Sequence, residues 1–306
     1  MRRGLGVAMS ALQSEAAPPG LRGWVQAAPF ALVFLVFFIL PLAFVVMVSF
    51  WDYNDYAMLP RFTTRSYVET FEGCGAQLPA LCTILKTYAS TAKFCAIVWA
   101  ATLLIGFTVA YFLAFHVRRT QTQMVLFLVC TIPFWTSNVI RMISWIPLLG
   151  RNGLVNQALL GAHLVDAPVE WLLYSQFSVA LAFVHLFTFF MVVPIFNSMM
   201  RIDRKLLEAA YDAGATAWQT LWNVVIPLAK PGIVIGSIFV VTIVMGDFIT
   251  FGVMGGQQVA SAGKVVEARL NALQFPPAAA NAVILLGVTL LIIVALNRIV
   301  DVRKEL

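Results

Sequence analysis

Two ionisable residues interrupt long apolar stretches of this sequence, and their side chains are the first candidates for chemistry. Arg141 lies in the run CTIPFWTSNVIRMISWIPLL, and Asp247 lies in the run GSIFVVTIVMGDFITFGVMGG. A charge inside a bilayer is costly, so such residues generally pair with another group or line the path of an ion or solute. These two runs are therefore candidate parts of a path for a polar solute.

The residues around Arg141 recur at helical spacing. Trp135, Asn138, Arg141 and Trp145 follow one another at intervals of three to four residues. A helix would carry all four on one face. A polar and aromatic face suits a water-filled path better than contact with lipid, so these four residues are predicted to line the substrate pathway.

The residues around Asp247 show the same spacing. Asp247, Thr250 and Phe251 would share a helical face, and Phe248 adds a second ring next to the carboxylate. Asp247, Phe248 and Phe251 are therefore predicted pathway residues. Glycines in this run indicate a loosened or interrupted helix, as in transporter helices that line sites: Gly246, Gly252, Gly255 and Gly256.

The longest charged passage between apolar stretches covers residues 201–231. In a helix, Glu208 and Asp212 are four residues apart and share a face. Gly214 suits a turn or the close approach of another backbone, and Pro227 favours the start of the next helix. The passage predicts a short amphipathic helical hairpin outside the bilayer.

This passage resembles the EAA loop of bacterial ABC importer permeases. That family's pattern is EAA, three residues, Gly, nine residues and then I-x-L-P. Glu208-Ala209-Ala210, Gly214 and Pro227 keep that spacing, with two mild apolar replacements before the proline. In the family this loop, 201–230 here, is a coupling helix that docks on a cytoplasmic ATPase. The resemblance implies an ATPase-coupling set of Glu208, Ala209, Ala210, Asp212, Gly214 and Pro227.

The segments IPFWTSNVIR and GDFITFGVMGG extend the resemblance to the spermidine/putrescine group of MetI-like permeases. The resemblance implies a transport subunit that forms half of a translocation pathway and is not itself an enzyme. Its implied partners are a homologous second permease subunit, two ATPase subunits and an extracytoplasmic substrate-binding protein. ATP and Mg²⁺ would be used by the ATPase, because this chain has no G-x-x-x-x-G-K phosphate loop. No cofactor and no nucleic acid are expected on this chain.

A polyamine is an extended polycation, so its path requires carboxylates and aromatic faces. Asp247 with Phe248 or Phe251 would supply these, whereas Arg141 would repel such a solute. The residues leave two arrangements open. In the first, Arg141 and Asp247 neutralise each other or pair with groups of the partner permease. In the second, they contact the solute directly. An unpaired Arg141 would favour opines, phosphonates or other amino-acid-like solutes. A stand-alone secondary transporter is the alternative of another class, although the sequence shows no internal repeat of the loop motif.

Composition makes lipid the solvent for much of the chain. The sequence is 61% hydrophobic and 11% charged, and its mean hydropathy is +0.88. An apolar helix of about 20 residues crosses the hydrocarbon core. The predicted fold is an all-α integral membrane protein with about six transmembrane helices and a cytoplasmic coupling helix, the MetI-like type I importer fold. The predicted spans cover residues 28–50, 88–115, 124–149, 176–200, 231–255 and 278–298.

The basic residues predict the orientation. An even number of spans places both ends on one side, and an excess of Lys and Arg marks the cytoplasm. The domains are then a cytoplasmic tail (1–27), the permease domain (28–300) and a second cytoplasmic tail (301–306), in a bacterial inner membrane. Predicted cytoplasmic residues include Arg2, Arg3, Arg22, Arg118, Arg119, Arg201, Arg204, Lys205, Lys230, Arg298, Arg303 and Lys304.

The remaining reactive side chains give weaker signals. Cys74 and Cys82 lie in a predicted extracytoplasmic loop, where an oxidising compartment allows a disulfide, but the sequence does not determine their separation. His185 lies in the fourth predicted span and is interpreted as a packing residue. No His, Cys and carboxylate residues occur at metal-ligand spacing, so no metal site is predicted.

Overall fold

The computed structural model describes residues 21–54, 57–72, 74, 82–256 and 258–299 of the 306-residue chain. The predicted tail 301–306 and residues 1–20 of the predicted tail 1–27 lie outside the described residues. The remainder of that first tail is already helical, because α1 begins at Leu21.

Helices make up most of the described chain, and a short hairpin precedes the second span. The elements before the fourth span are α1 (Leu21–Phe34), α2 (Leu40–Val48), β1 (Trp51–Tyr53), β2 (Met58–Phe62), α3 (Arg65–Thr70), α4 (Thr83–Tyr111), α5 (Thr120–Thr131), α6 (Asn138–Ile143), α7 (Ile146–Leu149) and α8 (Leu154–Gly161). The later elements are α9 (Gln176–Met200), α10 (Arg204–Asp212), α11 (Ala217–Thr220), α12 (Ile226–Gly246), α13 (Ile249–Gly255), α14 (Ala262–Asn271) and α15 (Phe275–Ile299). Three π-helical turns (Leu35–Ile39, Phe112–His116 and Leu221–Val225) and two 3-10 turns (Ile132–Trp135 and Glu170–Leu172) join some of them.

Five helical stretches are long and apolar enough to cross a membrane. A sixth span results if Thr120–Trp135 and Asn138–Gly161, which are bent by 89° at a short break, count as one. The prediction of an all-α membrane fold with about six spans is therefore confirmed. The five continuous stretches are Gln26–Val48, Thr83–His116, Glu170–Met200, Ala217–Gly246 and Phe275–Arg298.

The third predicted span is not one straight helix. The helix α5 ends at Thr131, and a 3-10 turn that includes Pro133 follows it. Proline has no backbone N–H to donate, and its ring crowds the preceding helical turn. The prediction of a continuous helix over residues 124–149 was wrong for this reason.

The helix α9 forms the core of the bundle, because it packs against both α4 and α12. Its residues Val179, Phe183 and Met191 are fully buried. Met191 lies against glycines of both neighbours: a Cβ added at Gly106 of α4 or at Gly236 of α12 would lie within 3.0 Å of its side chain. Small residues of this kind allow helix backbones in a membrane to approach closely.

Gly232 provides a test of this packing. A Cβ there would overlap the carbonyl oxygen of Pro194 and lie 2.9 Å from the Cα of Ile195. We expect Gly232→Ala to destabilise the protein by about 1–3 kcal/mol, since backbone atoms of α9 must shift. The midpoint of thermal unfolding in detergent should fall by several degrees. Gly287→Ala is the matched control, because a Cβ at Gly287 meets nothing within 4 Å; equal midpoints for the two variants would contradict this account.

The loop after the first span contains a hairpin that the sequence did not reveal. Trp51–Tyr53 pairs antiparallel with Met58–Phe62. Arg65 binds Glu69 at 2.7 Å and Asp52 at 3.4 Å, and the Tyr53 hydroxyl donates to Glu69. Burial first, and then the contacts with Glu69, raise the pKa of Tyr53. The tyrosine therefore keeps its proton, and the network holds the hairpin on α3.

Cys74 and Cys82 form a disulfide in the structure. Cys82 is 3% exposed and lies immediately before α4, so the bond ties the end of the hairpin loop to the start of the second span. Cys95 and Cys130 are free thiols.

We expect thiol labelling to show this pairing. The unreduced protein, unfolded in detergent, should take up a maleimide at Cys95 and Cys130 alone, and after reduction at all four cysteines of the sequence. Mass spectrometry of the labelled chain counts the adducts. Four adducts before reduction would show that the disulfide is not present.

Large apolar side chains cover much of the outside of the helices. Phe30 is 79% exposed and Phe37 is 69% exposed, and the first span as a whole is almost unburied. A surface this apolar must be covered by lipid or by another membrane chain. The described chain is therefore a multi-pass membrane protein.

Candidate functional site: the coupling segment and the interrupted spans

The coupling segment, residues 201–230, begins with a capped amphipathic helix. The side chain of Asp203 accepts a hydrogen bond from the backbone N–H of Lys205 at 3.0 Å, which satisfies one of the free donors at the start of α10. Leu207 packs against the hydrophobic core. The predicted coupling residues Glu208, Ala209 and Asp212 are exposed on the same short helix.

Gly214 ends this helix in a conformation that favours glycine. Its φ is +84°. The N–H of Gly214 donates to the carbonyl of Tyr211 at 2.8 Å, and the N–H of Ala215 donates to that of Ala210 at 3.0 Å. This pair of bonds is a Schellman motif, which requires the left-handed conformation at its glycine. Gly214 thus fixes the angle at which the chain leaves α10.

The chain then re-enters the bundle through α11 and a π-helical turn. Thr216 and Gln219 cap α11 reciprocally. In the following turn, the N–H of Ile226 donates to the carbonyl of Leu221, one residue further than in an α-helix. Pro227 comes next and has no N–H with which to continue the α-helical ladder. The predicted coupling residue Pro227 is thereby placed where α11 connects to the fifth span.

An open cleft of about 730 Å³ lies beside the coupling segment, between α9 and α12. Its walls are largely apolar, with Asn197, Ser198, Arg201 and Asp203 as polar lining residues. Leu206 of α10 also lines it. The cleft therefore connects the exposed coupling helix with two membrane-spanning helices.

The third span is interrupted, and its second half contacts the short helix that follows the fifth span. The third span breaks at Thr136 and Ser137. The fifth span ends at Gly246, and Asp247 and Phe248 separate α12 from α13. The helix α6, which follows the break in the third span, packs against α13. We call this place the junction. Interrupted helices that meet inside a membrane commonly line solute sites in transporters.

Arg141 is the cationic residue of the junction. It is 8% exposed, and its Nη2 donates to the Oδ1 of Asn138. The Nε1 of Trp145 donates to the Nδ1 of His185 at 3.1 Å, with the two rings edge to face. Asn138 and Arg141 are thus in contact, whereas Trp145 lies beyond the end of α6 and contacts His185. Trp135 lies at the end of the 3-10 turn and is 84% exposed.

His185 is the junction residue whose partner the sequence did not reveal. The sequence predicts a packing residue, and in the structure His185 accepts the hydrogen bond of Trp145 and packs edge to face against its ring. An ionisable residue within an apolar run was the available signal. The 40 residues between Trp145 and His185 concealed the contact.

Asp247 directly follows the last residue of the fifth span and lies between α12 and α13. Its backbone is extended, and its Oδ1 accepts the N–H of Thr250 at 2.7 Å. Asp247 is partly buried, and Phe248 is 39% exposed and lines a cleft of about 340 Å³ with α12, α14 and α15. Among the described residues, neither Asp247 nor Arg141 forms an ion pair. The arrangement in which these two residues neutralise each other is therefore absent from this chain.

Phe251 is part of the core. It is fully buried, and its ring lies edge-on against Phe94 of α4 and Phe183 of α9, with centroids 5.3 and 5.0 Å apart. The prediction that Phe251 lines a pathway does not fit this position. Because Asp247 lies outside α13, the four-residue spacing between the two no longer places them on one helical face.

The family is shown by comparison with known proteins. The family model described as binding-protein-dependent transport system inner membrane component matches residues 102–305. That range contains the whole coupling segment as well as Arg141, His185 and Asp247.

Named relatives agree with this match. The spermidine/putrescine transport system permease protein PotB of Escherichia coli (strain K12) is 32% identical over 210 residues, which cover 67% of this chain and 75% of that protein. PotB of Haemophilus influenzae is 31% identical over 236 residues, covering 76% and 78%. The inner membrane ABC transporter permease protein YdcU of Escherichia coli (strain K12) is 28% identical over 221 residues, covering 68% and 67%.

Solved structures share the fold. A chain of a bacterial ABC transporter involved in the import of the acidic polysaccharide alginate aligns with a TM-score of 0.70 at 16% identity, covering 91% of this chain and 95% of that one. A chain of the bacterial alginate ABC transporter in complex with an alginate pentasaccharide-bound periplasmic protein aligns with a TM-score of 0.66 at 15% identity, covering 90% and 94%. The protein thus belongs to the family of binding-protein-dependent transport system inner membrane components and is a permease subunit of an ABC importer.

Proposed function

We propose that this subunit forms half of a membrane path for polyamines such as spermidine and putrescine. The observation that carries the proposal is Asp247, a partly buried carboxylate between α12 and α13 with no ion-pair partner among the described residues. An ammonium group of a polyamine is a suitable counter-charge, and the partly exposed ring of Phe248 offers a cation–π contact. The PotB relatives, named for spermidine and putrescine transport, support this substrate class.

In this proposal, other subunits supply the energy for transport. Two ATPase subunits use ATP and Mg²⁺ in the cytoplasm and contact the exposed residues of α10, whereas this chain binds no cofactor. A homologous second permease completes the path, and an extracytoplasmic binding protein delivers the solute. The coupling segment and both termini are then cytoplasmic, as the positions of Lys and Arg favour.

The geometry suggests how force passes into the membrane. The left-handed turn at Gly214 and the π-helical turn before Pro227 connect α10 to the fifth span without a flexible linker. A displacement of α10 therefore moves α12, whose far end is the break at Asp247. Binding of nucleotide and of the delivery protein biases two packings of the helices, so the path opens to one side at a time.

A second solute class follows from one observation. Arg141 has no acidic partner in the described chain, and a carboxylate or phosphonate on the solute would supply one. Opines, phosphonates and amino-acid-like solutes are therefore the alternative within the same architecture. Family membership decides against a stand-alone secondary transporter.

Uptake by the complete importer tests the proposal. The subunit is co-purified with its second permease and ATPase subunits and placed in vesicles. We expect ATP-dependent uptake of labelled spermidine and putrescine when the binding protein is present, and little uptake of an opine or a phosphonate. Uptake of the anionic solutes alone would overturn the polyamine assignment, and uptake without ATP or the ATPase subunits would overturn the coupling.

A further inference from the structure

The guanidinium of Arg141 is buried without a counter-charge. The side chain is 8% exposed, Nη2 donates to the neutral amide of Asn138, and Nε has no hydrogen-bond partner. An uncompensated charge in a desolvated site is strongly unfavourable. The site around Arg141 is therefore incomplete in the isolated subunit.

The described part of this chain places no carboxylate within ion-pair distance of Arg141. Its ion pairs join Arg65 to Asp52 and Glu69, Arg151 to Glu170, and Lys264 to Glu267. His185 carries no negative charge, and its Nδ1 already accepts the N–H of Trp145. An acceptor from outside the described residues would complete the site.

Arg141 lies beside an apolar surface that lipid or another membrane chain must cover. Large apolar side chains at the bend are exposed: Ile132, Phe134, Trp135, Ile140 and Ile143. His185 lies nine residues from the nearer end of α9 at Gln176, which places it about 14 Å inside that helix. A lipid phosphate at the membrane surface is too far away to serve this cluster.

We propose that Arg141 binds a carboxylate of the second permease subunit and so forms a buried ion pair between the two subunits at the junction. The unsatisfied Nε shares an edge of the guanidinium with Nη2, and a carboxylate can contact such an edge with two parallel hydrogen bonds. Nη2 has two N–H groups, so it can donate to Asn138 with one and to a carboxylate with the other. The pair also removes the repulsion between Arg141 and a polycationic solute, a benefit that rests on the proposed function.

Co-purification of the two permease subunits tests this proposal. With an affinity tag on this chain, we expect Arg141→Gln to lower the amount of second permease recovered in detergent by about tenfold or more, because it leaves the partner's carboxylate buried and unpaired. Arg141→Lys should have an intermediate effect, since an ammonium group lacks the two-donor edge. Arg151→Gln is the matched control. The side chain of Arg151 is 72% exposed, and its pairing with Glu170 should contribute little.

A second variant keeps the arginine and adds a competitor. Asn138→Asp places a carboxylate beside the same guanidinium, so it should also weaken recovery of the second permease. In the Arg141→Gln background it should have no further effect. Charge reversal provides the positive test: Arg141→Glu should regain assembly when one Asp or Glu of the second permease is replaced by Arg.

Three outcomes would overturn the proposal. Wild-type recovery of the second permease with Arg141→Gln removes the inter-subunit pair. Normal assembly with a changed preference between cationic and anionic solutes assigns the guanidinium to the solute. If no replacement of an Asp or Glu of the second permease by Arg restores assembly with Arg141→Glu, the inter-subunit ion pair is also ruled out. Failure of the proposed function would appear separately, as lack of polyamine uptake by the unmodified importer with assembly intact.

Discussion

Replacing Gly214 by valine should uncouple uptake from ATP hydrolysis while the subunit still inserts and assembles. Valine cannot easily adopt the φ of +84° that Gly214 has, and a residue held in such a conformation costs about 1–3 kcal/mol. The turn then relaxes, and α10 changes its direction relative to the fifth span. We expect uptake to fall by about tenfold or more, because each 1.4 kcal/mol corresponds to about a factor of ten. Vesicle uptake and ATP hydrolysis are measured on the same preparation.

Replacing Gly214 by asparagine shows whether the backbone conformation or the bulk of the side chain at this position causes the loss of uptake. A Cβ at Gly214 meets nothing within 4 Å, so a side chain there has room, and only the backbone conformation distinguishes one residue from another. Asparagine tolerates the left-handed region, so Gly214→Asn should retain most uptake. Gly161→Val is a further control at an equally open glycine without positive φ. Full uptake by Gly214→Val, or equal losses with valine and asparagine, would refute the coupling role of this turn.

Replacing Asp247 by asparagine should have a similarly large effect on polyamine uptake. Asparagine keeps the Oδ1 that accepts the N–H of Thr250, so the start of α13 should stay intact. Only the charge is lost. We expect uptake of spermidine to fall by about two orders of magnitude, because removing one charge from a desolvated pair costs about 2–5 kcal/mol.

The thermal unfolding midpoint and the recovery of the second permease show whether Asp247→Asn is merely a structural defect. Both should match the unmodified protein. Asp166→Asn changes an exposed carboxylate outside the spans and should leave uptake unchanged. Normal spermidine uptake by Asp247→Asn would rule out Asp247 as the ammonium partner. A fall in stability that parallels the fall in uptake would instead assign it a structural role.

Short-range features of this protein could be predicted from the sequence. Hydropathy located the spans, because about 20 apolar residues in succession have lipid as their only suitable solvent. The coupling segment was recognisable because α10, its cap and the turn at Gly214 depend on residues within a few positions of one another. The glycines around Asp247 indicated an interrupted helix, and the structure breaks the helix there.

Tertiary structure decided which faces are buried and which residues meet. Periodicity gives the angle of a side chain around its own helix axis and does not say what lies opposite. Phe251 therefore suited a pathway by spacing, although packing against Phe94 and Phe183 buries it. The sequence could not predict that His185 contacts Trp145, 40 residues away, or that Arg141 and Asp247 form no ion pair. Both results depend on how separate helices dock. Contacts between distant segments are set by the packing of whole helix surfaces, which no local pattern contains.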